Sequence, residues 1–134
     1  MIVVEATVNA PVAQVWSAYT SPEAIVQWNA ASDDWHTTRA TVDLQVGGAF
    51  SSRMEAKDGS MGFDFEGVYT AVEPERRLAY DFGDRKAEVT FTEVEGGTHV
   101  RVAFDPETMH PEDMQRDGWQ AILNNFKRYV ESQN

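Results

Sequence analysis

The sequence predicts an α+β fold: a seven-stranded curved antiparallel sheet wrapped on a long C-terminal helix, with two short helices after strand 1. Three observations carry that expectation. From His36 to Phe104 the chain alternates β-prone runs with turn residues. Between Val12 and Trp28, apolar residues recur at helical spacing. From Pro111 to Ser132 one amphipathic stripe is sustained without interruption.

Ile2-Val3-Val4-Glu5-Ala6-Thr7-Val8 is β-branched and stops at Asn9-Ala10-Pro11, so it reads as a strand followed by a break. Pro11 suits the first position of a helix whose apolar side is Val12, Val15, Trp16 and Tyr19. Thr20-Ser21-Pro22-Glu23 restarts the chain, with Ser21 placed to cap, Pro22 to open and Glu23 to favour the positive end of a second helix carrying Ile25, Val26 and Trp28. His36–Leu44 is the next expected strand. Gly47-Gly48 then breaks the chain before a strand over Ala49–Lys57, and Asp58-Gly59 signals a two-residue hairpin.

Met61–Val72 alternates, placing Phe63, Phe65, Gly67 and Tyr69 on one face and Asp64, Glu66, Val68 and Thr70 on the other. Leu78–Phe82, Ala87–Phe91 and Val100–Phe104 complete the sheet. The final helix carries Met114, Gly118, Trp119, Ile122, Leu123, Phe126, Tyr129 and Val130 on one stripe. At roughly 33 Å it is long enough to cross a curved sheet.

The 134 residues make one ordinary domain, so residues 1–134 are read as a single unit with no linker or internal repeat. Eleven Lys and Arg against 22 Asp and Glu give a formal charge of −11. Such a surface repels a phosphate backbone and anionic lipid, so neither nucleic acid nor membrane is an expected partner. There is no cysteine, which excludes thiol chemistry and cysteine-ligated metal. Met1–Glu5 lacks the basic-then-apolar pattern of an export signal, and cytoplasm is the expected compartment.

A wide twisted sheet curls, and one helix about 10 Å thick leaves space against its concave face. Phe50, Met54, Phe63, Phe65, Tyr69, Tyr80, Phe82, Phe91 and Phe104 are the sheet's candidates to line that space. Met114, Trp119, Leu123 and Phe126 face it from the helix, with Trp28 and Trp35 at its mouth. The same residues serve equally well as core filler, because aromatics dominate cores. If space remains, its occupant is a small hydrophobic or aromatic molecule.

Ala10-Pro11-Val12-Ala13-Gln14-Val15-Trp16, Thr20-Ser21-Pro22-Glu23 and Trp28 resemble the opening of the START-like (SRPBCC) helix-grip superfamily. Asp43-Leu44-Gln45-Val46-Gly47-Gly48-Ala49-Phe50 is similar to its D-x-x-x-G-G-x-F segment. Gly67 through Leu78 and the late Gly118-Trp119 match as well. Together they resemble the branch named after the activator of the ninety-kilodalton heat-shock chaperone's ATPase. The resemblance implies the helix-grip fold. It also implies a range of roles: binding lipids, steroids or hormones, cyclising polyketides, or assisting the chaperone.

No nucleophile elbow, phosphate loop or zinc-protease motif is present, so no catalytic residue is assigned. Asp33, Asp34 and His36 are too close in sequence for fixed metal-ligand spacing, and neither a metal nor a cofactor is expected. His99 has the parity of a solvent-facing residue, and His110 precedes the last helix in a capping or exposed position. Arg53, Glu55, Asp64 and Glu66 point outward by alternation, while Trp35, His36 and Asp33 are the polar contacts expected near the mouth. Binding is the leading reading; a chaperone regulator and a cyclase or hydrolase acting on polyketide-like substrates remain alternatives. Homodimer formation stays open, since no self-complementary surface pattern is visible.

Overall fold

The computed structural model describes residues 1–133. Strand β1 (Ile2–Val8) leads into α1 (Val12–Thr20) and α2 (Pro22–Trp28). Then come β2 (Trp35–Val42), β3 (Ala49–Ala56), β4 (Gly62–Glu73), β5 (Arg77–Phe82), β6 (Arg85–Val94) and β7 (Gly97–Phe104), closed by α3 (Glu112–Ser132). One sheet holds all seven strands in the order β1-β7-β6-β5-β4-β3-β2. Every pairing is antiparallel. Consecutive strands pair as hairpin neighbours, and β1 joins the far side of β7 with Ile2 opposite Phe104. The expected architecture is therefore the one observed.

Local chemistry shifts several boundaries. Pro11 and Pro111 occupy N-cap positions with extended ψ near 150° and 145°, one residue before the first helical turn. Ser21 is the N-cap of α2, but its hydroxyl donates to the Glu23 carboxylate at 2.7 Å instead of capping an N–H. Strand β2 ends at Val42, so Leu44 lies outside it and is exposed. Asp58-Gly59 does not form a two-residue hairpin. The Asp58 carboxylate accepts the Ser60 N–H at 2.9 Å and Ala56 N–H reaches the Met61 carbonyl, so the connection runs from 57 to 61. A bulge between Tyr69 and Ala71 interrupts the alternation of β4, after which Val72 opposite Leu78 packs against the core.

Packing is uneven along α3. Its second half buries Leu123, Phe126 and Val130. Phe126 meets Trp28 and Tyr19 edge-on, with ring centroids 4.9 and 5.1 Å away. The helix packs chiefly on β1 and the two short helices. Its first half is different: Met114 is mostly exposed rather than buried, and the only buried residue there is Gln115. A helix laid along the β1 side of the sheet leaves the concave face of β3, β4 and β5 uncovered.

Glycine inside a strand, as at Gly67, reads as a bend or a close approach by the covering helix, and Gly118 beside Trp119 reads as letting the helix sit near the sheet; neither glycine brings helix and sheet together. At Gly67 an added Cβ would meet the Asp81 carbonyl oxygen and the Phe50 ring, each at 2.6 Å, so the close approach is within the sheet. At Gly118 nothing lies within 4 Å. Gly67→Ala is expected to destabilise the fold by about 1–3 kcal/mol through overpacking, read as a lower denaturant midpoint with unchanged slope.

Candidate functional site: an aromatic cavity

The uncovered concave face becomes a cavity of about 570 Å³ between the sheet and the first half of α3. That is within the range that holds small organic ligands. Phe50 organises the sheet side, with Tyr80 at 4.8 Å, Tyr69 at 5.1 Å and Phe65 at 5.8 Å between ring centroids. Trp119 supplies the helix side. Its indole stacks on the fully buried Phe104, centroids 3.9 Å apart and planes 9° from parallel, so it is pinned against the sheet and does not fill the space. Trp35 and Phe63 flank the opening with rings 6.0 Å apart, and Phe63 is 48% exposed.

Of the residues expected at the site, Trp28, Trp35, Phe50, Met54 and Phe63 line this cavity, as do Phe65, Tyr69, Tyr80, Phe82, Trp119 and Leu123. His36 and Phe91 do not. Phe91 is buried in the core beneath α1, edge-on to Trp16 at 5.2 Å and Tyr19 at 5.6 Å. His36 borders a separate, more polar depression with Asp33, Lys57 and Arg128. Phe104 and Phe126 are also core and have no accessible surface. The outward group behaves as alternation predicts: Arg53 pairs with Glu55 at 3.0 Å and Asp64 at 3.6 Å on the sheet's other face.

One end of the cavity is polar, and sequence reasoning missed it. Arg85 lies over the Phe82 ring at 4.5 Å and donates through Nε and Nη2 to the Asp105 carbonyl. Gln115 bridges the loop: its side-chain oxygen accepts the Glu107 N–H, and its Nε2 donates to the carbonyls of Glu107 and His110. His110 Nδ1 meets the Glu107 carboxylate at 2.8 Å. Burial works against the charged form of Glu107, but the hydrogen bonds from His110, its charge and that of Arg85 outweigh it and hold the pKa below the usual range. His110 is exposed, one of the two positions expected for it, and it borders the cavity without capping α3. No periodicity marks an irregular loop such as 105–111, so only the cluster of Glu107, His110 and Gln115 in one short stretch hinted at it.

Tyr19, Tyr69 and Tyr80 also face the cavity. Burial pushes Tyr69 up to about 12. Burial first, then their mutual proximity, raises Tyr19 and Tyr80 as well. A phenol that stays protonated in the fold but ionises near 10 when unfolded makes stability fall as pH rises past 10. Alkaline unfolding should accordingly be steep, involving about three protons. Tyrosinate absorbance should rise together with loss of circular dichroism. Reversible ionisation of all three near pH 10 with the fold intact would contradict this burial.

Among the described residues no group of three or more His, Asp and Glu side chains is disposed to hold a metal. No helix there is long and apolar enough to cross a membrane.

The family model described as "Activator of Hsp90 ATPase homolog 1-like protein" matches residues 9–131. The solution structure of the AHSA1-like protein from Aeromonas hydrophila is 50% identical, with a TM-score of 0.93 over 98% of this chain and 92% of that one. A solution structure from Cytophaga hutchinsonii, of the protein Chr148, is 45% identical with a TM-score of 0.84 over the same shares. The crystal structure of CV1439 from Chromobacterium violaceum shares the fold at 24% identity, with a TM-score of 0.87 over 97% of this chain and 96% of that one. No curated protein matches the chain.

Proposed function

We propose that this chain, which belongs to the activator of Hsp90 ATPase homolog 1-like family within the START-like superfamily, binds a small hydrophobic or aromatic molecule between its sheet and α3. The observation that carries the reading is the cavity of about 570 Å³, walled by aromatic rings. Those rings are held by contacts within the protein, Trp119 by Phe104 behind the cavity surface and Tyr69 by Phe50 within the wall itself, so the space does not depend on a ligand to hold it open. An apolar guest of moderate size would remove most of its surface from water at roughly 25 cal/mol per Å².

The test is titration with N-phenyl-1-naphthylamine, a neutral probe that brightens in apolar surroundings. Saturable, equimolar brightening with quenching of tryptophan emission supports the reading. An unsaturable response or none overturns it.

The family description favours a second reading, a regulator of a heat-shock chaperone's ATPase. Adding the protein to purified bacterial chaperone and measuring ATP hydrolysis separates the two. The cavity reading expects no change in rate.

A further inference from the structure

We propose that the hydroxyls of Tyr19, Tyr69 and Tyr80 form a hydrogen-bonding station in the aromatic part of the cavity, away from its polar end, selecting an uncharged hydrophobic molecule that carries a carbonyl or hydroxyl oxygen. The inference rests on the cavity reading and deepens it.

Three observations converge. Tyr69 and Tyr80 are direct cross-strand partners on β4 and β5, which sets their side chains together on the concave face. Tyr19 reaches the same space from α1, braced by Trp28 at 5.2 Å and Phe126 at 5.1 Å. Tyr69 is 4% and Tyr80 6% exposed, while Tyr19 is half-buried and lines the same cavity.

None of the three hydroxyls has a hydrogen-bond partner among the described residues, yet no buried side-chain polar atom is sealed off without one. The three oxygens therefore keep accessible surface, and all three residues line the cavity. Buried hydroxyls are normally satisfied, and hydroxyls left facing an apolar chamber favour a guest that brings an oxygen. The phenols stay protonated, so they remain available as donors across the physiological range. A full negative charge is disfavoured there, because Glu107 already opposes both Arg85 and His110 at the cavity's polar end.

The experiment compares benzophenone with diphenylethylene, its isostere in which a methylene group replaces the carbonyl oxygen, by competition against N-phenyl-1-naphthylamine. The ketone-to-hydrocarbon affinity ratio is expected to fall roughly five- to tenfold in Tyr69→Phe or Tyr80→Phe, the loss of about one hydrogen bond. Infrared spectroscopy of benzophenone bound to the unaltered protein should show its carbonyl stretch lowered, as in a hydrogen-bonding solvent. That readout decides even if a variant fails to fold. Diphenylacetate should bind more weakly than benzophenone.

An unchanged ratio with a carbonyl frequency typical of hydrocarbon solvent overturns the station while leaving the cavity reading intact. Tighter binding of diphenylacetate overturns the preference for an uncharged guest. Failure of both isosteres to bind overturns the cavity reading and the station with it.

Discussion

Phe126→Ala is expected to destabilise the protein by about 3–5 kcal/mol, a large part of the roughly 5–15 kcal/mol that holds such a domain together. Phe126 has no exposed surface and is the point where α3 meets both short helices, through Tyr19 and Trp28. Removing its ring deletes two edge-on aromatic contacts and leaves a void that rigid neighbours cannot fill. Trp28 is further fixed by its Nε1 donating to the Ala18 carbonyl at 2.9 Å, which limits any collapse into the gap. Chemical denaturation measures the loss. A cost below about 1 kcal/mol would mean that the grip of α3 lies elsewhere.

Gly118→Phe should abolish probe binding, with at least a tenfold loss of affinity, while the melting temperature holds or rises. Gly118 lines the cavity on α3, and the space its Cβ would enter is open. A phenyl ring there occupies the volume a guest would take. The substitution also relieves the conformational cost of glycine within a helix, roughly half a kcal/mol for a residue such as Phe. Ordinary glycine-to-aromatic changes in a packed interface lower stability; here loss of binding without loss of stability is the signature of a pre-existing chamber. A sharply lower melting temperature would show that this part of the interior is already filled.

The architecture was legible because periodicity and turn chemistry agree along most of the chain. The β-branched run Ile2–Val8, the alternation Phe63–Tyr69 and the stripe ending Leu123, Phe126, Val130 each point to one element, and each element formed. The site was legible in part, since strand parity names inward-facing aromatics but does not say which of them have space in front of them. Phe91 and Tyr80 have equal claims by parity. Phe91 lies where α1 presses on β6, whereas Tyr80 lies beneath the half of α3 that stands off.

Gly118 illustrates the same limit: glycine beside tryptophan in a helix reads as close packing, and only the helix's placement along β1 shows that it borders open space. The polar end stayed hidden because Arg85, Glu107 and His110 come from a strand end and an irregular loop that only the tertiary fold unites.

Amide chemical-shift mapping of the protein titrated with N-phenyl-1-naphthylamine tests most directly whether the chamber accepts a guest. The cavity account predicts saturable shifts concentrated at Phe65, Tyr69, Leu78, Gly118 and Trp119, with Arg53, Glu66 and Arg101 unmoved. Shifts confined to the outer face of the sheet, or none that saturate, would contradict it.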